Sequence, residues 1–598
     1  LNLKLKYSQR DIKKNLFLFC TLRVAMNFVI GQEIAVPGEN IRLNQLGFYP
    51  EAQKIAIVVQ PEGDKFYIVK ANQGDTVFKG KLQKKTTWEY SEELVSKADF
   101  SKFTTPGAYQ LCVGKTKSYT FNIAPNIHLQ ALKAGIKSYY FQRVSMELDP
   151  KFAGKWARKA GHPDTSVLIH NSAVSAGRPA GAKISSPKGW YDAGDYNKYI
   201  VNSGISTYTL MALYEDFPAL CDSLSLNIPE SSNQIPDLLD EVLWNLRWML
   251  TMQDPADGGV YHKLTNANFD AFVMPAAAKT PRYVVAKSTP ATLDFAAVMA
   301  QASRIFAKFQ KQVPGLSDSC LKAAVYAFNW SRKNDGIPYK QDELKNPKVN
   351  TGTYDDFNFA DEFQWAGTEL FITTGKQEYY NESKIESLLK SSASIPSWNN
   401  VGTLALFTLS QFKNKLSKNV SINTISIDEV IVDKATELRD HLLQSPYGVT
   451  IGQNPGDFNW GSNSNAANQG MILIKAYLIN KDKSFLDAAL ADLDYLLGRN
   501  AVGFSFLTGY GTKSTMHPHH RPSDADGVTE PIPGLLAGGP NSGQQDKTSC
   551  GNIPYPSNIP AKSYLDNTCS YASNEVAINW NAPFVYLAGS IEAIKKIR

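Results

Sequence analysis

The hydrophobic pattern of this chain changes period once, near Pro125, and the change divides the sequence between two fold classes. Upstream, KIAIVV (54–59), KFYIVK (65–70) and KSYTFNI (117–123) are short β-branched and aromatic runs between turn-rich segments, and Pro106-Gly107 marks one of those turns. Runs of this kind between residues 35 and 124 predict a small all-β sandwich, a structural module packed on its neighbour. The cysteine pair of an antibody domain is missing, so likeness to an immunoglobulin fold is one of architecture. Downstream, residues 125–598 read as a large all-α domain. IPDLLDEVLWNLRWMLTMQ sets Ile235, Leu238, Leu239, Val242, Leu246, Met249 and Leu250 on one helical face, with Pro236 suited to the first turn. STPATLDFAAVMAQASRIF offers Thr289 as N-cap and Pro290 as first helical residue. KSFLDAALADLDYLLGRN repeats the period and stops at Gly498. Further helices are predicted to start near His128, Val201, Asp361, Gly402 and Asn468, separated by long loops rich in Gly, Pro, Asn and Asp. Loops of that length are more often functional than idle.

With 598 residues, two or more domains are expected. The net charge of +6 is spread over 62 basic and 56 acidic residues with no basic stripe, which argues against nucleic-acid binding. Aromatic residues make up 11% of the chain; many belong to cores, but Trp and Tyr also suit a sugar cleft, where flat rings stack on pyranose faces. The six cysteines show no zinc spacing; four read as isolated buried thiols, and Cys550 and Cys569 share one loop-rich segment where pairing is left open. At the start, Lys4, Lys6, Arg10, Lys13 and Lys14 precede an apolar run ending near Gly31, a leader-like segment over 1–34. Arg23 interrupts that run, and no other run reaches the length of a membrane span. A secreted, periplasmic or cell-surface protein acting as a monomer is the expectation.

Three loops carry residues capable of chemistry. GWYDAGDYNKY (189–199) separates Asp192 from Asp195 by Ala-Gly, which lets the backbone turn and aim both carboxylates into one space, where they can hold and deprotonate a water. Asp-Gly turns and calcium loops look much the same. HPHHR (517–521) holds three of the eight histidines and raises the question of a metal site. SYLDNTCSYASNEVAINWNAPF (563–584) places Glu575 among aromatic residues, where desolvation raises a carboxyl pKa as a general acid requires; a helix-capping glutamate is the alternative. An aspartate pair, a candidate acid and an aromatic cleft together fit glycosidic bond hydrolysis.

These stretches, with DLLDEVLWNLRWMLTMQ, DGGVYHK, FNWGSNSNAANQG and DYLLGRNAVGFSFLTGYGTKSTMHPHHRPS, resemble glycoside hydrolase family 9, the inverting cellulase family, over residues 125–598. IRLNQLGFYPEAQKIAIVV (41–59) is similar to the immunoglobulin-like domain that precedes many of its catalytic domains. The resemblance implies an (α/α)6 barrel and an endo-β-1,4-glucanase acting on a β-glucan polysaccharide with inversion. By position it implies Asp195 as general base, Asp192 as a second holder of the water, and Glu575 as general acid. His519, Arg521 and Tyr571 would form the subsite beside the scissile bond, with His262 and Trp398 as further subsite candidates. Inversion calls for the two carboxyls roughly 6.5–9.5 Å apart, leaving room for water. No catalytic cofactor is implied; a structural calcium is, and NFADEFQW makes Asp361 and Glu362 its candidate ligands, although Asn358 stands where glycine is expected. An exo-acting β-glucan or glucosaminide oligosaccharide hydrolase of the same family, a non-catalytic carbohydrate-binding protein and a histidine-centred metal hydrolase are the competing readings.

Overall fold

A computed structural model describes residues 38–416 and 424–596, so the leader-like segment 1–34 and Cys20 lie outside the described residues. The β module is two packed sheets. One orders Ile41–Arg42, Ile55–Val59, Glu93–Asp99 and Thr86–Trp88; the other orders Gly47–Phe48, Phe121–Ile123, Gly107–Val113, Lys65–Lys70 and Thr76–Lys81, with Thr116–Lys117 paired to Gly107–Val113. The KSYTFNI run is two strands rather than one, because Ser118 breaks the ladder: its hydroxyl accepts the Leu111 N–H at 2.9 Å. Rings of Phe48, Phe66, Phe100 and Phe121 fill the space between the sheets.

The IAIVV strand explains how this module meets the rest of the chain. All five residues are buried, against the alternation expected of a sheet with one wet face. Ala56 and Val58 point into the sandwich, while Ile55, Ile57 and Val59, with Trp88 and Val95, join the core of the helical region. One sheet therefore belongs to two cores.

The helical region has two kinds of helix. Ile200–Asp216, Thr289–Phe306, Gly402–Gln411 and Ser462–Asn480 are buried over nearly their whole circumference, as expected for helices with no solvent face. Thr289–Phe306 packs on Ile200–Asp216 and Ala360–Thr374, and Ile578–Lys596 packs on Ile200–Asp216 and Ser462–Asn480. Outside them lie helices with one polar face: Leu129–Phe141 against Ile578–Lys596, Asp237–Met249 against Ile200–Asp216, Leu316–Ser331 against Thr289–Phe306, and Lys483–Leu496 against Ser462–Asn480.

Helix starts differ slightly from expectation. Ser288, not Thr289, is the N-cap, since its hydroxyl accepts from the Ala291 N–H, and Pro236 precedes its helix instead of lying in the first turn. The all-α expectation also needs correction. Val167–Ile169, Lys183–Ile184, Lys198–Tyr199, Lys263–Asn266 and Arg282–Val284 form a five-stranded sheet within the helical region. Strands of two to four residues are too short to show a period of two. No described helix is long and apolar enough to cross a membrane.

Buried polar contacts tie the module to the helices. Glu93 accepts from the Tyr447 hydroxyl at 2.5 Å and pairs with Lys562 at 3.3 Å and with Arg42 of its own module at 3.5 Å. Replacing Glu93 with alanine strands these donors, and stability in a denaturant titration should fall by about 3 kcal/mol, with module and helices unfolding in one transition.

Candidate active site

The Asp-Ala-Gly-Asp loop lies between the strands Lys183–Ile184 and Lys198–Tyr199, the second of which runs directly into the buried helix Ile200–Asp216, and its glycine has a steric reason. A Cβ on Gly194 would lie 2.0 Å from the His519 carbonyl oxygen, so only glycine lets the two loops touch backbone to backbone. Arg521 closes the contact by donating its N–H (3.1 Å) and Nη1 (2.8 Å) to the Gly194 carbonyl. His520, for which the sequence suggested no role, acts one step further back. Gln142 donates its Nε2 to the Ala193 carbonyl (3.0 Å), so its Oε1 is left to accept from His520 Nε2 at 3.1 Å. Burial holds His520 neutral, pushing its pKa down to about 3.

Three carboxyls meet on one groove of about 440 Å³, lined also by Tyr199, Phe269, Tyr354, Trp398, Trp460 and Trp580. Asp192 is buried and accepts from Asn202 Nδ2 (2.9 Å) and the Tyr354 hydroxyl (2.8 Å). Desolvation, then repulsion from Asp195, raises its pKa to about 8 against those two hydrogen bonds. Asp195 accepts from Asn197 Nδ2 (2.5 Å) and the Tyr199 hydroxyl (3.4 Å). Its pKa is raised by desolvation, and the Arg521 guanidinium and Asn197 work against that rise. Glu575 follows the short helix Tyr571–Asn574; it is part of a β-bridge with His519, and its carbonyl accepts from Gly538 N–H at 2.8 Å. Burial of the carboxyl, then repulsion from Asp195, raises Glu575 well above the usual carboxylate range. Burial pushes all three carboxyls toward their protonated forms; Arg521 opposes this at Asp195 and Glu575 and side-chain donors oppose it at Asp195 and Asp192, so Asp195 is the one that combines Arg521 with side-chain donors.

Of the predicted subsite residues Trp398 lines the groove, and His519, Arg521 and Tyr571 are not among the residues that line it. His519 is half-buried, edge-on to Phe272 (5.1 Å) and Tyr571 (6.0 Å), with Nδ1 on the Thr568 carbonyl and a pKa lowered by burial to about 4. Arg521 lies over the rings of Phe269 (5.6 Å) and Phe272 (5.0 Å), and its Nε donates to the Asp270 carbonyl. Tyr571 packs on Trp460 (5.2 Å), and Trp398 lines the groove edge-on to Tyr354 (5.4 Å). His262 does not reach the groove, which corrects its expected place. It is fully buried, stacked flat on Tyr339 at 4.0 Å, and bonded through Nε2 to the Thr353 carbonyl, so it supports the loop that carries Tyr354. His517 is exposed, and its N–H donates to Asp566.

Sequence reasoning missed Tyr354, Trp460, Phe269 and Lys263. Trp460 stands in the FNWGSNSN stretch and was open to notice; Tyr354 sits in an irregular loop at φ +47°, where no periodicity marks it. Lys263 is buried behind the aspartates with its ammonium on Gln341 Oε1 (2.6 Å), Thr351 Oγ1 (3.0 Å) and the Gly352 carbonyl. Burial lowers its pKa to about 7, while Asp195 and Asp192 pull the other way.

The metal expectations fare differently from the groove. Asp361 and Glu362 occupy the first turn of Ala360–Thr374, but Asp361 already accepts from the Val401 N–H (2.8 Å) and Asn358 Nδ2 (3.3 Å). Glu362 is buried with both carboxyl oxygens unpartnered among the described residues. Among the described residues no group of three or more His, Cys, Asp or Glu side chains is placed to hold a metal ion, and a calcium at Asp361 and Glu362 is not shown. Cys550 and Cys569 are joined as a disulfide; Cys221 and Cys320 are buried thiols, and Cys112 is only half-buried.

The sequence profile of "Glycosyl hydrolase family 9" matches residues 129–588, and that of "Cellulase N-terminal ig-like domain" matches residues 36–118. The chain belongs to glycosyl hydrolase family 9. It is a glycoside hydrolase with an N-terminal immunoglobulin-like domain. Among family 9 relatives it is 45% identical over 566 residues to the xyloglucan-specific endo-beta-1,4-glucanase BoGH9A of Bacteroides ovatus, covering 94% of each chain. It is 33% identical over 557 residues to Endoglucanase D of Acetivibrio thermocellus, covering 92% of this chain and 83% of that one. A solved Bacteroides ovatus GH9 structure superposes with TM-score 0.87 at 44% identity, over 94% of this chain and all of the other. In this family 9 enzyme the Gly194 contact offers a direct test. Gly194→Ala should keep the circular-dichroism spectrum of the wild type while hydrolysis of a soluble β-glucan falls by about a hundredfold or more, because the carboxylate pair is pushed off the histidine loop.

Proposed function

We propose that this chain is an endo-acting β-1,4-glucanase that cleaves with inversion, with xyloglucan as its polymer. The observation that carries the proposal is the unequal division of charge among three carboxyls on one aromatic-lined groove. Asp195, beside Arg521 and with two donors on its oxygen, is the carboxylate that takes the proton from water. Asp192, oriented by Asn202 and Tyr354, supplies the second contact that holds that water. Glu575, kept protonated by burial, gives its proton to the leaving glycosidic oxygen. Neutral His519 and the Arg521 guanidinium are donors to the sugar hydroxyls beside the bond, and the rings of Tyr571, Trp460 and Trp398 meet pyranose faces. The choice of xyloglucan rests on the Bacteroides ovatus relative, whose name states that specificity. The inner and outer helix layers support an (α/α)6 barrel as the scaffold. An exported site of action fits the Cys550–Cys569 disulfide.

Since Asp195 must be ionised and Glu575 protonated, activity rises with pH through the Asp195 pKa and falls through that of Glu575. Both are raised, so both limbs of the kcat/KM profile should lie above the ordinary carboxylate range. Glu575→Gln should lower kcat on xyloglucan by about a thousandfold, retain polymer binding and lose the alkaline limb; wild-type turnover in that variant would remove the acid assignment. Viscosity should drop ahead of reducing-end release on xyloglucan, and proton NMR should show the α-anomer first. Short products without a viscosity drop would point to exo action, and a β-anomer would exclude inversion.

A further inference from the structure

The segment that leads into Glu575 is pinned by a residue the mechanism does not use. Asp546 is fully buried, and its carboxylate collects three donors: the Tyr555 hydroxyl at 2.6 Å on Oδ1, and Ser570 Oγ (2.9 Å) and the Ala572 N–H (2.6 Å) on Oδ2. Its own carbonyl accepts the N–H groups of Ser549 (2.8 Å) and Cys550 (3.0 Å), which starts the turn leading to the Cys550–Cys569 bridge. One residue earlier, the Gln545 carbonyl accepts the Tyr571 hydroxyl at 3.1 Å. Asn541 Nδ2 spans the same gap, donating to Gln545 Oε1 (2.7 Å) and to the Ala572 carbonyl (2.8 Å). Thus residues 541–546 hold Tyr571 at two points, its flanking residues Ser570 and Ala572 through Asp546 and its hydroxyl through Gln545. Glu575 is anchored separately, by the Gly538 N–H on its carbonyl and the His519 N–H on the Asn574 carbonyl (2.9 Å).

We propose that Asp546 is a positioning residue for the sugar platform: by fixing residues 570–572 it holds the Tyr571 ring against Trp460, which lines the groove. The proposal rests on the glucanase reading above. It separates two tasks carried by one short stretch of chain, binding through Tyr571 and proton transfer through Glu575, because each has its own anchor. The chemistry of the anchor also says which replacements it tolerates. Alanine leaves three donors without an acceptor. Asparagine retains an oxygen for Ser570 and Ala572, and its amide can donate to Tyr555, whose hydroxyl then turns to Ser570 Oγ, 2.9 Å away.

The test is steady-state kinetics on β-1,4-gluco-oligosaccharides with the full chain. Asp546→Ala should raise KM about tenfold, the worth of one aromatic platform, while kcat and both limbs of the pH profile stay as in wild type. Asp546→Asn should restore most of the lost KM. In a Tyr571→Ala background, Asp546→Ala should add nothing further, because the ring it positions is already gone. An equal KM penalty in both backgrounds, or a fall in kcat with a displaced alkaline limb, overturns the proposal. Should Asp546→Ala not fold, Tyr555→Phe, which removes one of the three donors, should give a smaller KM rise of the same pattern, and an unchanged KM there overturns it equally. Wild-type turnover tests the glucanase reading by itself. Turnover with an unchanged KM in Asp546→Ala removes the positioning role alone, and the same ratio can be read as oligosaccharide affinity with each change placed on Glu575→Gln.

Discussion

Everything at the groove depends on one contact, the backbone of Gly194 lying against the backbone of His519. These residues are far apart in the chain, and each brings its own chemistry: the aspartate pair on one side, the histidine–arginine stretch and the glutamate bridged to it on the other. Since the contact is between main chains, no side-chain adjustment can replace it. Arg521 and Gln142 then lock it from two directions, one on the Gly194 carbonyl and one on the Ala193 carbonyl. The spacing of the carboxyls across the groove is thereby set by peptide geometry, the stiffest material the chain has.

The same closeness creates an electrostatic problem that the surroundings resolve. Three carboxyls removed from water around one groove cannot all carry charge. Burial opposes charge on all three, and Asp195 is the one where the Arg521 guanidinium and side-chain donors both work against it. Lys263, buried behind the pair among neutral oxygens, adds positive potential without an ion pair to Asp192 or Asp195. Much of what looks like ordinary loop packing here, such as Asn197, Asn202 and Tyr354, is in effect a set of choices about which oxygen holds a proton.

Much of this was legible in the sequence for stated reasons. Helices such as Asp237–Met249 and Lys483–Leu496 announce themselves because apolar residues recur at the helical period between polar ones, and the strand Lys65–Lys70 matches its run of residues directly. Acidic residues in glycine-containing turns also mark ordinary Asp-Gly turns and calcium loops, so it was the resemblance to a known family that singled out Asp192 and Asp195 and suggested their partners. What escaped was whatever depends on contacts between distant segments. The five-stranded sheet is built from fragments shorter than any period. His262 carries a family-like motif yet faces Tyr339, not the groove, and only packing decides that. Cys550 and Cys569 could not be paired by spacing, and Asp361 could not be known to spend its oxygens on Val401 and Asn358.

The strand Ile55–Val59 has a consequence for the protein as it is made. Its sandwich-facing residues can be covered as soon as the β module is synthesised, but Ile55, Ile57 and Val59 belong to a core completed by residues as late as Ile594. At ribosomal speeds the intervening stretch takes on the order of half a minute or more to emerge. For that time the native cover of this apolar sheet face is incomplete, next to the segment that becomes the hydrolase. Holding factors in the cell have a defined target there, and so does aggregation. The boundary between the two fold classes is therefore not a boundary between two independent births.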